Sequence, residues 1–176
     1  MDSLTHLQTQ LRPLVGAIVL DGDLLIFPTT ESEELYQTST DLYLTTTAGA
    51  FALELQVDGQ TPRVWHKPAG DLLTLPRQVE LASRRLQWQA WSAAGDDSHW
   101  VHERFALAGF PTLQAVLQAH VEQVFIYTFA DDNAPTGLKL VFEHLVLHVV
   151  AGPGGNLIRT GELGDYFLYP VREHAG

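Results

Sequence analysis

The sequence predicts an α+β fold: mainly antiparallel β-sheet, curved or closed into a barrel, with one main helix at about 111–123 and a short N-terminal helix. Three observations carry this expectation. Segments such as "FALELQV" alternate apolar and polar residues, the period of a half-buried strand. Asp-Gly pairs at 21–22 and 58–59 follow apolar runs, as in tight hairpin turns. Two stretches place apolar residues at helical spacing.

The first of these is Leu4, Leu7 and Leu11, which follow a potential Ser3 cap and end near Pro13. The run Ala17–Phe27 reads as two strands meeting at a turn over Asp21-Gly22-Asp23, because a type I′ turn needs φ > 0 at both central residues. "TDLYLTTT" is a strand by its β-branched content. Residues 51–66 form a hairpin around Asp58-Gly59, and Pro62 puts the return strand at an edge or delays its start. Arg85–Ser92 and His99–Leu107 alternate in the same way, with a turn at Gly95-Asp96-Asp97. Pro111 then opens the main helix, whose stripe is Leu113, Val116, Leu117, His120, Val121 and Val124. "VFIYTFA" is a strand, 131–137 a loop and "LKLVFEHLVLHVV" one long strand, while "LIRT" and "YFLYP" make a closing hairpin. No internal repeat, low-complexity tract or linker stands out, so residues 1–176 are expected to form a single domain.

The chain has 10 basic and 21 acidic residues and a formal charge of −11, which repels nucleic-acid phosphates and anionic lipid. Neither nucleic acid nor membrane is therefore an expected partner. The absence of cysteine removes disulfides, cysteine-based zinc sites and thiol catalysis. "MDSLTHLQTQLRPLVG" lacks the basic and apolar regions of a signal peptide, and "HLVLHVVAG" is too short to span a bilayer. A cytoplasmic protein is expected.

Candidate chemistry begins at "IVLDGDLLI". Two carboxylates two residues apart after an apolar strand can grip Mg²⁺ and attack a phosphate. The stretch resembles the first motif of haloacid-dehalogenase-type phosphatases, which implies Asp21 as nucleophile and Asp23 as general acid/base on a parallel sheet. Where that family continues with a Gly-Thr-type pair, this chain has Leu24-Leu25, and crossover helices are scarce. The turn is the favoured reading. His144 and His148, with His99 and His102, are an alternative metal set. On a strand, however, His144 and His148 stand roughly 13 Å apart, too far for one ion. No metal and no cofactor are expected, and His120 reads as a core histidine on the helix stripe. "SRRLQWQAW" has arginines beside tryptophans, as in single-strand binding, but the acidic charge opposes it.

The functional expectation is a non-enzymatic domain that binds another protein, in an inhibitor, immunity-type or adaptor role. Its acidic loop residues Glu33, Glu34, Asp96, Asp97, Asp131 and Asp132 would steer a basic partner, with Trp91 or Trp100 as an aromatic anchor. Homodimerisation through an exposed strand is a further expectation. The alternatives are a Mg²⁺-dependent phosphatase-like or histidine-metal hydrolase, and a small apolar ligand held inside a barrel.

Overall fold

The computed structural model describes residues 3–26, 40–55, 62–68, 77–96, 102–128, 134–152, 155–163 and 167–172. Helix α1 (Ser3–Leu11) runs into a 3₁₀ turn at Arg12–Leu14 and buries Leu7, Leu11 and Leu14. Strands β1 (Val19–Ile26), β2 (Thr40–Thr46), β3 (Gly49–Leu55) and β4 (Pro62–Lys67) form an antiparallel meander. Helix α2 (Leu81–Ala93) follows, and β5 (Glu103–Ala106) returns to pair with β1. After the four-residue helix α3 (Pro111–Gln114), strands β6 (Val121–Thr128), β7 (Pro135–Phe142), β8 (Val146–Gly152) and β9 (Gly155–Thr160) make a second meander. Strand β10 (Phe167–Val171) then pairs back onto β6. The fold is α+β with two five-stranded antiparallel sheets, neither of them closed into a barrel. Strands β2, β3 and β4 face β7, β8 and β9, and one apolar core fills the space between. No helix among the described residues is long and apolar enough to cross a membrane.

Several elements differ from expectation, each for an identifiable reason. The main helix is residues 81–93, where Arg85–Ser92 reads as a strand. Its inward stripe of Leu81, Arg84, Trp88 and Trp91 contains an arginine, paired with Glu103 at 2.8 Å, which hides the helical period. Of the helix expected at 111–123 only α3 forms, and β6 already begins at Val121. A bulge between Val121 and Gln123 turns both Val121 and Val124 toward the core, which imitates helical spacing. His120, expected on that stripe, is exposed. "LKLVFEHLVLHVV" is two strands around a turn at 143–145. β9 and β10 are not a hairpin but lie at opposite edges of one sheet.

The Asp21-Gly22-Asp23 stretch is not a turn. It lies inside β1, between antiparallel neighbours β2 and β5. Gly22 is needed for close approach: a methyl group there would stand 2.2 Å from Leu107 Cδ1 and 3.1 Å from the Tyr43 carbonyl oxygen. The hairpin at 51–66 does form, from Ala50–Lys67 to Leu55–Pro62, and β4 is an edge strand that begins at Pro62. Asp58-Gly59 itself lies outside the described residues.

The two sheets repeat one plan, a four-stranded meander whose fifth strand returns to its first. They meet along an antiparallel seam, and "LVGAIV" (14–19) matches "VLQAHV" (116–121) position for position. Gly16 N–H donates to the Val121 carbonyl as Gln118 N–H donates to the Val19 carbonyl, both at 2.7 Å. Val19 N–H to Ala119 and Val121 N–H to Ala17 repeat the relation at 3.0 and 2.9 Å. Gly16 and Gln118 both have positive φ, 79° and 64°. Each following strand bulges after its first residue. This internal two-fold relation is absent from the sequence reading, because only the backbone path and the core positions repeat.

Candidate functional site

Asp21 and Asp23 share the outer face of β1 and have different environments. Asp21 is exposed, and its Oδ1 accepts from Gly22 N–H at 2.8 Å. Asp23 is only 5% exposed. Its Oδ1 accepts from Gln78 Nε2 and its Oδ2 from Arg104 Nη2, each at 2.7 Å. The geometry follows from pairing: Ala106 stands opposite Asp23, so Arg104 is two residues along on the same face of β5. Gln78 bridges to Arg104 from the other side. Both carboxylate oxygens are therefore committed to tying β1, β5 and the approach to α2 together. A buried carboxylate held this way acts as a structural anchor, and the general acid/base role that the resemblance gives Asp23 would need an oxygen free to exchange a proton. The antiparallel neighbours of β1 also differ from the parallel sheet that the phosphatase resemblance implies.

The histidines do not converge. His144 lies exposed in the β7–β8 turn, with Nε2 3.4 Å from Glu143 Oε1. His148 is buried on β8, where it joins Tyr127 Oη at Nδ1 and the Gly161 carbonyl at Nε2, the latter at 2.6 Å. A carbonyl can only accept, so Nε2 carries the proton and Nδ1 accepts from the tyrosine. Burial lowers the His148 pKa, opposed by the Gly161 bond and reinforced by Lys139. His102 is exposed before β5, and His99 lies outside the described residues. Among the described residues no group of three or more His, Asp or Glu side chains could hold a metal ion.

Of the acidic loop set, Glu33, Glu34, Asp97, Asp131 and Asp132 lie outside the described residues, as does Trp100. Asp96 follows α2, and its N–H donates to the Trp91 carbonyl at 2.9 Å. Trp91 is half-buried against the core, with the Arg84 guanidinium 5.5 Å from its ring centroid. It is packed in, so it presents little of its ring to a partner.

Among the described residues the exposed tryptophan is Trp65, which the sequence did not single out. Trp65 on β4 is 55% exposed, yet its Nε1 donates to Glu54 Oε2 at 3.1 Å. Tyr43 Oη donates to the other Glu54 oxygen at 3.0 Å. The register explains the arrangement: Tyr43, Ala52 and Trp65 form one row across three strands, and Glu54 lies two residues along from Ala52 on the same face. Burial, then the charges of Glu54 and Asp41, raises the Tyr43 pKa well above the ordinary phenol range. Small Ala52 stands between Tyr43 and Trp65 in the row and is itself buried, while the Trp65 side chain remains more than half exposed. The alternation of "FALELQV" with the hairpin at 51–66 contained this signal, since together they fix which residues share the outer face.

A second surface feature is a cleft of about 780 Å³ beside α2, walled by Val79, Leu81, Leu86 and Ala106 with Glu80 and Arg85. No family model matches the chain, and no curated protein or solved structure matches it, so the reading of function rests on this geometry.

Proposed function

We propose that the protein acts without catalysis, by binding another protein through the outer face of its first sheet. The observation that carries this reading is the Trp65 indole, exposed in ring but fixed at its nitrogen by Glu54. A large aromatic already held in one orientation loses little side-chain freedom on docking, which is the property of an interface anchor. The net charge of −11 favours a basic partner by speeding encounter, with the acidic loop residues contributing to the field. A cytoplasmic setting belongs to the same proposal. The hydrolase reading through Asp21 and Asp23 has less support, because Asp23 is occupied by Arg104 and Gln78.

The test is affinity capture from the source cell's lysate with the parent protein and Trp65→Ala, at low and high salt. A partner retained by the parent, released at high salt and lost with Trp65→Ala is the expected result. Retention unaffected by Trp65→Ala sinks the reading.

A further inference from the structure

We propose that the segment of the partner protein seated on Trp65 is extended and acidic, with a carboxylate two residues from the apolar side chain that covers the indole. This rests on Trp65 being the anchor of the protein interface, and it specifies what the anchor meets.

The strand period places Arg63 on the same face of β4 as Trp65, two residues along and roughly 7 Å away at the usual rise. Both side chains are exposed. In the register Arg63 stands directly opposite Glu54 on β3, the cross-strand partner its charge would take. Glu54 turns instead to the two aromatic residues, with Oε1 accepting from Tyr43 Oη at 3.0 Å and Oε2 from Trp65 Nε1 at 3.1 Å. Among the described residues Arg63 has no hydrogen bond or ion pair. One carboxylate thus fixes the indole and leaves the guanidinium beside it facing solvent. Lys67, exposed on the same face beyond Trp65, adds positive potential to this edge.

A guanidinium pairs with a carboxylate through two parallel hydrogen bonds, and the indole offers an apolar face next to it. A partner segment laid along β4 shares its period of two, so a carboxylate and an apolar side chain two residues apart meet Arg63 and Trp65 together. A lysine or arginine in the carboxylate's place would face Arg63 and be rejected by like charge. The attraction of a basic partner is a separate matter. The net charge of −11 acts on the whole partner at long range, whereas this contact is decided within a Debye length of roughly 8 Å.

The experiment follows the Trp65 indole N–H by nitrogen–proton NMR in the intact protein at physiological salt. The probe is acetyl-Glu-Thr-Phe-Thr-Glu-amide, with the same peptide carrying glutamine or lysine in place of glutamate as controls. The acidic peptide should shift the Trp65 signal saturably, and both controls should bind about tenfold more weakly. Arg63→Gln should bring the acidic peptide down to the glutamine control, and Arg63→Glu should reverse the preference toward the lysine peptide. Arg63 is on the surface, and an otherwise unchanged spectrum verifies that the variants fold. The proposal is overturned by the absence of a saturable shift, by Arg63→Gln binding like the parent, or by the lysine peptide binding as tightly as the acidic one. If any of these occurs while lysate capture still requires Trp65, the acidic segment is wrong and the anchor stands. Capture indifferent to Trp65→Ala removes the anchor itself.

Discussion

The two halves of the molecule share a core and differ along the outer rows of their sheets. On the inner faces Leu24 corresponds to Ile126, Leu42 to Leu138, Leu44 to Leu140 and Val64 to Ile158, all buried. On the outer faces the row Asp23–Tyr43–Ala52–Trp65 stands where the second half has Phe125–Lys139–His148–Arg159. No side chain is kept along that row. One packing problem constrains the inner positions of both sheets, while the outer rows have separated into an acid–aromatic set, of which Trp65 is exposed, and a set carrying Lys139 and Arg159 on either side of buried His148. Function is therefore best sought in what the halves do not share, the Trp65 row.

The largest expected effect breaks the comparison at Asp23. Asp23→Ala leaves Arg104 without its carboxylate and should cost about 3 kcal/mol, read from urea denaturation. Installing the second half's residues at the same two positions, Asp23→Phe with Arg104→Leu, should recover most of that loss. A double variant no more stable than Asp23→Ala would show that the rows are not interchangeable.

The next effect sharpens the core match. Gly22 and Leu107 occupy positions equivalent to Val124 and Val171, one pair small with large and the other even. Gly22→Val alone should destabilise by about 2 kcal/mol through overpacking. Gly22→Val with Leu107→Val should restore thermal stability to near that of the parent. A double variant that melts with the single one would disprove the equivalence.

A smaller effect belongs to the second half alone. Protonated His148 can no longer accept from Tyr127, and the cations Lys139 and Arg159 stand opposite it on the neighbouring strands. Burial holds its folded-state pKa below the ordinary 6.5, so its contribution is complete above about pH 6.5. That contribution is lost as pH falls through the folded-state value. Denaturation midpoints from pH 7.5 to 5 should fall in the parent and fall less in His148→Gln. Equal slopes would remove His148 as the source. Tyr127→Phe at neutral pH should cost about 1 kcal/mol, since Nδ1 loses its donor in a buried site.

The smallest effect tests the seam. Gly16→Gln should cost no more than about 1 kcal/mol, because Gln118 already holds the matching left-handed conformation. A loss of several times that amount would mean that the two turns differ in their surroundings.

Much of the first sheet was legible in the sequence, because β3 alternates, β2 is rich in β-branched residues and Pro62 marks β4 as an edge strand. Legibility failed where a residue served a purpose other than its commonest one. Gly22 provides room for Leu107 instead of a left-handed turn. Arg84 sits in the inward stripe of α2 because Glu103 meets it there, and no single-sequence period anticipates that partner. The bulge in β6 made a strand look helical. The Asp23–Arg104–Gln78 anchor needs three segments brought together from 23 to 104, so it is visible only in the register. The Trp65–Glu54–Tyr43 group was closer to hand, since it follows from one alternation and the pairing of β3 with its neighbours.

The seam also bears on how the chain reaches this state. Neighbouring strands within each meander are separated by at most 13 residues of chain, whereas the seam joins residues about a hundred positions apart. Loop closure at that distance is slow unless both partners are already ordered. Each sheet is therefore expected to assemble on its own, with the pairing of 16–19 and 118–121 forming late. Substitutions at Gly16 and Gln118 should then speed unfolding and leave the refolding rate nearly unchanged.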